Sequence, residues 1–561
     1  MNTPSIATPE VKPKESKAQR SERLKREKNP WEAFEEIRAF AREGRGSVLP
    51  EWAEFYFKWW GIYTQGDGAG VTGGTGGTGK ATEFFMLRIG LPNGIATSAQ
   101  MRVIGTLARD HARNLADITT RQAIQLHWLT IESVPAVIEA LDAAGLSARG
   151  ACGDVVRNVT GCPLAGLDAH EMLDVSPLTQ AIAHELRGNS EFYNLPRKFK
   201  ITATGCPIWC SYPEINDVAL TAVKRGEEIG YSVRVGGGLS REPHLAVKLD
   251  AFVRPEQAVD VVRGIATIFR EQQGLRESRD RARLKYLFMR EGWTAERFLD
   301  ELKAKLSFEL GPGVEDTIPD DVFRDHSGVR PQKQAELYSV GATVLNGRVS
   351  GEQLLAVADL ADKYAGSEVR TTVMQNFVLP NVPKEHLKTV LAELSALGLT
   401  VEGTNFWQGT VACTGTEFCK LAITETKGFA RWLVEEMESR IPGFDQQLSL
   451  HVTGCPNSCG QHWIADVGLE GKKIKVDGQL VDAWYFAVGG GLGIHAAFAR
   501  QVNYRCTSED VPDALERLFT TYLVTRNRDQ NLRAWFAEKT NEQLREILEA
   551  SVDAEVAEVI Q

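Results

Sequence analysis

An internal duplication is the feature that most constrains the fold of this chain. Four pairs of segments match in the same order, at 87–108 and 339–361, 116–129 and 368–380, 202–220 and 451–469, and 233–240 and 486–493. The third pair reads TATGCPIWCSYPEINDVAL in the first half and HVTGCPNSCGQHWIADVGL in the second. Because every pair keeps an offset of about 250 residues, the sequence predicts a duplicated architecture with pseudo-twofold symmetry.

Each half alternates short strands of β-branched and aromatic residues with amphipathic helices. Helices are predicted at 97–112, 134–145, 350–364 and 384–397. This alternation is typical of an α+β fold with mixed sheets. A cluster of Gly, Pro and Asp at 311–320 indicates the boundary between the halves.

Length and charge restrict the class of protein. A chain of 561 residues with 43% apolar content predicts several packed units. The net charge of −10 argues against nucleic acid as a partner, and no stretch is long and apolar enough to span a membrane. Nine cysteines without a secretory signal indicate thiols or metal ligands, and hence a cytoplasmic location.

Four cysteines of the second half form two close pairs. Five residues separate Cys413 from Cys419, and three separate Cys455 from Cys459. Such a set suits a zinc ion or a four-iron four-sulfur cluster. The spacing of five residues between Cys413 and Cys419 is unusual for zinc, and the turn GCPNSCG offers backbone N–H groups to cluster sulfurs. The pattern therefore favours the cluster over zinc and over buried structural thiols.

This cysteine pattern, together with the duplication, resembles the sirohaem-containing sulfite and nitrite reductase family over nearly the whole chain after residue ~50. The resemblance implies a sirohaem beside a [4Fe-4S] cluster. It also implies that Cys413, Cys419, Cys455 and Cys459 bind the cluster and that Cys459 bridges to the sirohaem iron.

The resemblance also gives the predicted units their identity as ferredoxin-like half domains plus two α+β domains that bind sirohaem and cluster. The predicted order is a disordered tail at 1–30, an N-terminal segment with a glycine-rich loop at 31–84, a first ferredoxin-like half domain at 85–150, a first sirohaem-binding domain at 151–310, a second half domain at 330–402, an iron–sulfur and sirohaem domain at 403–507, and C-terminal helices at 508–561.

An anion pocket is expected in the first half, because sulfite and nitrite are negatively charged. Lys198 and Lys200 project to one face of an extended strand, where they repel each other unless an anion lies between them. An exposed strand face is the alternative explanation. By resemblance, Arg88, Arg157, Lys198 and Lys200 match the substrate-binding cations of the family, and Arg121 matches an arginine at the sirohaem.

Three further basic residues lie in the segment RARLKYL, namely Arg281, Arg283 and Lys285. They could pair with sirohaem carboxylates, although a solvated helix face explains them at least as well.

The substrate preference depends on one position. By resemblance, Lys200 stands where sulfite reductases usually carry Lys and plant-type nitrite reductases carry Asn, which favours sulfite. Tyr63 and Cys152 match the positions that form a tyrosine–cysteine bond beside the sirohaem in some ferredoxin-dependent sulfite reductases; ordinary core residues are the alternative.

The first repeat carries cysteines of its own, Cys152, Cys162, Cys206 and Cys210. Asn158 stands six residues after Cys152, where a counterpart of Cys419 is needed, and Cys162 falls off the pattern. We interpret these cysteines as relics of the duplication rather than a second metal site.

No flavin or nicotinamide domain accompanies the two halves, so the resemblance implies ferredoxin as electron donor to a monomeric enzyme. The alternatives are reduction of nitrite to ammonia, or a non-catalytic electron-transfer protein that uses the four cysteines alone.

The stretch VTGGTGGTGK at 71–80 resembles two nucleotide-binding motifs. Ala81 follows Lys80 where a P-loop needs Ser or Thr, and a strand is predicted after the glycines where both motifs need a helix. We interpret residues 66–80 as a mobile surface connector near the mouth of the pocket.

Overall fold

The computed structural model describes residues 15–65, 83–319 and 326–550. Within these ranges the strands form four sheets of five strands each. The predicted connector at 66–80 and the first 14 residues of the predicted tail lie outside the described residues.

The helices are α1 (Lys17–Glu27), α2 (Phe34–Glu43), α3 (Pro50–Glu54), α4 (Ser98–His111), α5 (Val134–Ala143), α6 (Ser176–Leu186), α7 (Ala258–Glu271), α8 (Tyr286–Met289), α9 (Ala295–Lys303), α10 (Gly351–Tyr364), α11 (Leu387–Ala396), α12 (Asn405–Gly409), α13 (Gly415–Phe418), α14 (Lys427–Arg440), α15 (Val511–Thr525), α16 (Leu532–Ala537) and α17 (Asn541–Glu549). The four helices predicted in the repeats correspond to α4, α5, α10 and α11.

The strands are β1 (Ile62–Thr64), β2 (Phe85–Ile89), β3 (Ile95–Thr97), β4 (Ala116–Ile118), β5 (Ile124–Leu129), β6 (Thr160–Gly161), β7 (Ile201–Thr204), β8 (Val218–Arg225), β9 (Glu228–Val235), β10 (Val247–Val253), β11 (Gly328–Pro331), β12 (Leu337–Ala342), β13 (Arg348–Val349), β14 (Glu368–Thr371), β15 (Phe377–Pro383), β16 (Thr410–Ala412), β17 (Leu450–Thr453), β18 (Val467–Val476), β19 (Gln479–Val488) and β20 (Arg500–Thr507).

The two half domains exchange a strand. One sheet has the order β1-β2-β5-β4-β13, and the other has the order β11-β12-β15-β14-β3. Short strand β3 of the first half therefore pairs with β14 of the second, and β13 pairs with β4. One continuous hydrophobic core serves both half domains. The exchange joins the two halves into one unit.

Matching Asn-Gly turns lead into the two exchanged strands, β3 and β13. The Asn-Gly turns place Asn93 and Asn346 in the left-handed region, with φ of 56° and 61°. Each turn leads to a short strand and then to α4 or α10, and each of these helices begins with a capping box of the kind that satisfies N-terminal N–H groups.

The two larger sheets repeat one topology. Their orders are β10-β9-β8-β7-β6 and β16-β17-β18-β19-β20. In each sheet the first three strands along the chain are parallel, and the last two are added antiparallel. Separate hydrophobic cores lie beneath these two sheets. The predicted pseudo-twofold architecture is thus observed in both pairs of sheets.

The prediction of a disordered tail through residue 30 is wrong for its second half. Residues 17–27 form α1, which begins with a capping box between Ser16 and Gln19. Lys25 on this helix is 1% exposed and forms an ion pair of 3.1 Å with Asp154. A buried charge pair, rather than an apolar stripe, therefore attaches the helix to the first α+β domain.

The C-terminal segment contains helices α15 to α17, as predicted, up to residue 549. Their apolar side chains belong to the core of the second large sheet. Among the described residues, no helix has the length and apolar character needed to cross a membrane.

Candidate active site

The four cysteines of the second half lie at one edge of a parallel pair of strands. Cys413 directly follows β16, and Cys419 caps the C-terminus of α13. Cys455 and Cys459 lie in the turn that follows β17. Because β16 and β17 are parallel, their C-terminal ends meet at the same edge of the sheet and bring the two pairs together.

Backbone N–H groups surround these thiols. The N–H of Gly454 donates to Cys413 Sγ over 3.2 Å, and the N–H groups of Leu421 and Ala422 approach Cys419. That of Asn457 approaches Cys455. The turns that hold the two cysteine pairs therefore both direct backbone N–H donors at sulfur atoms, as predicted.

Burial raises the pKa of the Cys419 thiol to about 12 and also raises the pKa of Cys413 and of Cys455. The neighbouring Cys459 thiol is the second cause in all three cases. Because their pKa values are raised, these thiols become thiolates only beside a positively charged centre. An iron–sulfur cluster provides such a centre.

The distances between the four sulfur atoms distinguish a site for a cluster from a site for a single ion. In the part of the chain that the structure describes, the one group of three ligand atoms that all lie within 4.8 Å of one another belongs to the first half. The four cysteines of the second half are spaced more widely. Wide spacing fits a cubane, in which each thiolate binds a different iron, better than one zinc ion.

The predicted cations lie on elements of the first half that converge from several directions. Arg88 is on β2, and Arg121 lies in the turn between β4 and β5. Arg157 precedes β6, and Lys198 and Lys200 precede β7. All five side chains are half-buried. The residues that the resemblance assigned to the pocket are therefore brought together by different strands.

The cations depress one another's affinity for protons. Burial, followed by the charge of Arg283, lowers the pKa of Lys198 to about 7. Burial, followed by the charge of Arg121, holds the pKa of Lys200 well below its usual range. Asp217 partly offsets the repulsion at Lys200. Such a pocket is stabilised by bound anions, and the carboxylates of sirohaem and an oxyanion are both of this kind.

Arg121 is held by acceptors on three segments. Its guanidinium donates to Asn216 Oδ1 over 2.7 Å, to the Asn158 carbonyl over 2.7 Å and to the Ile201 carbonyl over 3.1 Å. Burial lowers its pKa to about 9. The side chain is thus fixed in position while its charge lacks full compensation, which suits contact with a cofactor carboxylate.

Two cations of the first half lie close to Cys459 of the second half. The charge of Cys459 acts on both Arg88 and Lys198. The Thr120 hydroxyl donates to the Cys459 carbonyl over 3.3 Å, next to Arg121 in the sequence. Cys459 is the one exposed cysteine among the nine described. Its thiol is therefore accessible to a further ligand.

Tyr63 and Cys152 are in contact, as the sequence comparison of their positions anticipated. Burial raises the pKa of Tyr63 to about 12, and the neighbouring Cys152 thiol adds to the shift. Arg88 Nη1 donates to Cys152 Sγ over 3.2 Å. The pair therefore borders the anion pocket rather than lying in a remote core.

The alternative of a solvated helix face is wrong for two of the three basic residues at 281–285. Arg283 is 6% exposed and binds Asp217 through two contacts of 3.1 and 2.8 Å. Lys285 is 1% exposed and donates to the carbonyls of Leu239 and Glu242. Arg281 alone is exposed.

Sequence reasoning missed Asp217, which organises this part of the pocket. It accepts the backbone N–H of Lys200 over 2.8 Å in addition to the Arg283 guanidinium. The internal repeat contains the signal, because Asp466 occupies the matching position. Asp466 accepts the N–H of Ser449 over 2.7 Å and binds Arg533 over 3.0 Å, in the same arrangement.

Comparison with known proteins agrees with this site. The family model of the nitrite and sulphite reductase 4Fe-4S domain matches residues 152–310 and 403–555. The model of the nitrite/sulfite reductase ferredoxin-like half domain matches residues 78–144 and 330–397. The chain therefore belongs to the nitrite and sulfite reductase family of the sirohaem and 4Fe–4S type, and its half domains are ferredoxin-like.

Individual relatives cover nearly the whole chain. The assimilatory ferredoxin-dependent nitrite reductase of Haloferax mediterranei is 38% identical, across 89% of this chain and 88% of the relative. Sulfite reductase [ferredoxin] 2 of Mycolicibacterium paratuberculosis is 35% identical, across 94% and 96%. The structure of Mycobacterium tuberculosis NirA superposes with a TM-score of 0.89 at 34% identity, covering 94% of this chain and 97% of that one. The protein is an oxidoreductase of this ferredoxin-dependent family.

Proposed function

We propose that this enzyme reduces sulfite to sulfide with six electrons from reduced ferredoxin, at a sirohaem that Cys459 links to a [4Fe-4S] cluster. The cluster ligands in this proposal are Cys413, Cys419, Cys455 and Cys459. The single observation that carries the preference for sulfite is Lys200, which lies with Lys198 in the pocket that faces Cys459.

The charge of the pocket supports a doubly charged substrate. Sulfite carries up to two negative charges near neutral pH, whereas nitrite carries one. Coulomb attraction scales with that charge, so Lys200, when a bound anion keeps it protonated, favours sulfite more than nitrite. An asparagine in place of Lys200 would reduce this difference, because its amide has no net charge.

Each cation has a distinct role in the proposal. Arg88 is oriented by Gln125, whose Oε1 accepts from both Nε and Nη2 at 3.1 and 2.7 Å. Arg157 is held by the Gly153 carbonyl at 2.8 Å. The two guanidinium groups would bind oxyanion oxygens. Lys198, with its pKa lowered to about 7 by burial and nearby cations, would donate protons as oxygen leaves.

The cofactors, when bound, supply the electrons that reduce the anion. Arg121 would pair with a sirohaem carboxylate, since its guanidinium is already fixed by neutral acceptors. Tyr63 and Cys152 would form the wall of the pocket next to Arg88.

Nitrite reduction to ammonia is the second candidate. A specific observation favours it, namely that a relative at 38% identity is a nitrite reductase, whereas the sulfite reductase cited above is 35% identical. These identities are too similar to decide between substrates, so the assignment depends on the pocket.

A selectivity assay of Lys200→Asn tests the preference. Removing one charge-assisted contact costs about 1.5–3 kcal/mol, so kcat/KM for sulfite should fall by roughly tenfold or more relative to that for nitrite. Lys224→Asn is the matched control, because Lys224 is an exposed lysine on β8 of the same domain. An unchanged ratio of kcat/KM values in Lys200→Asn would show that this lysine does not set the preference.

The competing class of function is a non-catalytic electron-transfer protein that uses only the cysteines. An absorption spectrum of anaerobically matured protein distinguishes the two. Sirohaem gives a Soret band and a strong red-region band, whereas a cluster alone gives broad brown absorption. Absence of the sirohaem bands would contradict the enzyme proposal.

We also propose that the enzyme acts as a monomer in the cytoplasm. One chain supplies every residue of the pocket, and all nine cysteines, each within the described ranges, are free. Free thiols are typical of a reducing compartment.

A further inference from the structure

Three cysteines of the first half form a compact, buried group that the reductase reaction does not use. The Sγ atoms of Cys162, Cys206 and Cys210 all lie within 4.8 Å of one another. Cys206 and Cys210 are 3.5 Å apart, and the three residues are at most 1% exposed. Three thiols that converge on a common point are able to bind one ion together.

The interpretation that Cys162 falls off the repeat pattern is wrong. Gly161 on β6 pairs with Ala203 on β7, and Ala412 on β16 pairs with Val452 on β17. Since Ala203 and Val452 each stand three residues before a cysteine, the register makes Cys162 the counterpart of Cys413.

The same register relates the other two thiols to the cluster ligands. Cys206 and Cys210 match Cys455 and Cys459 in the repeated segment. The first half thus retains three of four ligand positions, and Cys419 has no cysteine counterpart.

The spacing of the thiols fits one small ion. In a tetrahedral zinc site with Zn–S bonds of about 2.3 Å, neighbouring sulfurs lie about 3.8 Å apart. The Cys206–Cys210 distance of 3.5 Å is close to this value. A cubane requires thiols that reach different irons, and the wider group in the second half has that form.

The surroundings of the group are those of a closed thiolate site. The Thr204 hydroxyl lies 3.1 Å from Cys206 Sγ. Backbone N–H groups of Leu164 and Cys210 are directed at Cys162 and Cys206. His326 Nε2 lies 3.9 Å from Cys162 Sγ, which places an imidazole beside the group for a fourth position. Three thiolates and one imidazole are a common zinc ligand set.

We propose that Cys162, Cys206 and Cys210 bind a single structural Zn²⁺, with His326 turning in as the fourth ligand. The ion joins the C-terminal ends of β6 and β7. The segments that lead into those strands carry Arg157, Lys198 and Lys200. The zinc site therefore supports the two strands that present the anion-binding cations.

Zinc K-edge X-ray absorption on the holoenzyme tests the proposal, because it detects zinc alone and ignores the iron of both cofactors. We expect about one zinc per chain with about three sulfurs at about 2.3 Å and one nitrogen at about 2.0–2.1 Å. Cys206→Ser should lose the zinc. Cys506→Ser is the matched control, because Cys506 is a buried cysteine on β20 in the other half.

Several outcomes would overturn the proposal. These are holoenzyme from zinc-supplemented cultures that contains no zinc, copper in its place, a coordination shell without sulfur, or a Cys206–Cys210 disulfide detected by alkylation and mass spectrometry. Zinc retained in Cys206→Ser would also contradict it. If Cys206→Ser fails to fold, the absorption edge of the unaltered holoenzyme decides the question by itself.

Discussion

Half-buried lysine and arginine side chains define the anion pocket at the scale of single residues. A cation in such a position is destabilised both by lost hydration and by its neighbours, and the pKa of Lys198 falls to about 7 as a result. We therefore propose that the same residue is both an anion ligand and a proton donor near neutral pH.

This dual role predicts a pH dependence of substrate affinity. Lys198 is charged below its pKa of about 7 and loses its charge as pH rises above that value. The KM for nitrite should therefore increase at pH values above about 7. Nitrite is the suitable probe, because its own charge is constant in this range. In Lys198→Arg, the increase should move to higher pH, since arginine stays charged.

The contrary result for Lys198 would be a KM profile that is the same in the variant and the unaltered enzyme. Lys224→Arg, on an exposed lysine, provides the control for general effects of the substitution.

The grouping of the four cysteines of the second half could be predicted from the sequence because their spacing is local and specific. Asp217 could not be predicted in the same way, since an isolated Asp before a strand has many uses. Its function depends on Arg283, which is 66 residues away in the chain. Only alignment of the two halves, with Asp466 in the second, would have shown that the position matters.

At the scale of elements, helix α1 illustrates what a periodic pattern misses. Its sequence KAQRSERLKRE is mostly charged, and only Ala18, Leu24 and Lys25 are buried. Hydrophobic periodicity therefore gives no signal. The helix is held by Lys25, which contacts Asp154 at 3.1 Å and the Leu195 carbonyl at 2.8 Å.

Replacing Asp154 with asparagine should destabilise the protein. The carboxylate is 2% exposed and pairs with Lys25, Arg279 and Arg197. Removing the buried carboxylate that these cations share costs at most about 3–5 kcal/mol, because Lys25 keeps its ion pair with Glu22 at 2.7 Å, and denaturant unfolding of Asp154→Asn would measure the loss. Asp142→Asn, at an exposed carboxylate with a single ion pair of 3.6 Å, is the control and should change little.

The stabilisation of the folded protein by Asp154 also depends on pH. Lys25, Arg279 and Arg197 hold its pKa well below the usual range despite burial. The stabilisation is thus complete above the ordinary carboxyl pKa of about 4 and is lost as pH falls through the lower folded value. Asp154→Asn should therefore be destabilised at pH 7 and converge toward the unaltered protein in strong acid; a constant difference would contradict this.

On the scale of the whole molecule, the two repeats bring Arg88 and Lys198 of the first half close to Cys459 of the second half. The repeats predicted the paired sheets and their symmetry. The exchange of β3 and β13 could not be predicted, because strands of three and two residues carry no pattern that specifies their partner. Their pairing depends on how the half domains dock.

Close packing of the two halves predicts a sensitive site at Gly351. A Cβ there would lie 2.7 Å from the Gly105 carbonyl and from the Arg109 backbone nitrogen of α4. Gly351→Ala should therefore force α4 and α10 apart and destabilise the protein by about 1–3 kcal/mol. Thermal unfolding measures the effect, and Gly46→Ala, where nothing lies within 4 Å, is the control. Equal melting temperatures of the two variants would show that the helices adjust without cost.

We propose that the enzyme reduces sulfite with electrons from ferredoxin. The most direct measurement supplies sulfite and nitrite together, at equal concentrations, to the holoenzyme with reduced ferredoxin and quantifies both products. The charge of Arg88 and Lys198 beside Cys459, together with that of Arg157 and Lys200, predicts that sulfide forms faster than ammonia. Ammonia as the dominant product would contradict the claim and assign nitrite as the substrate.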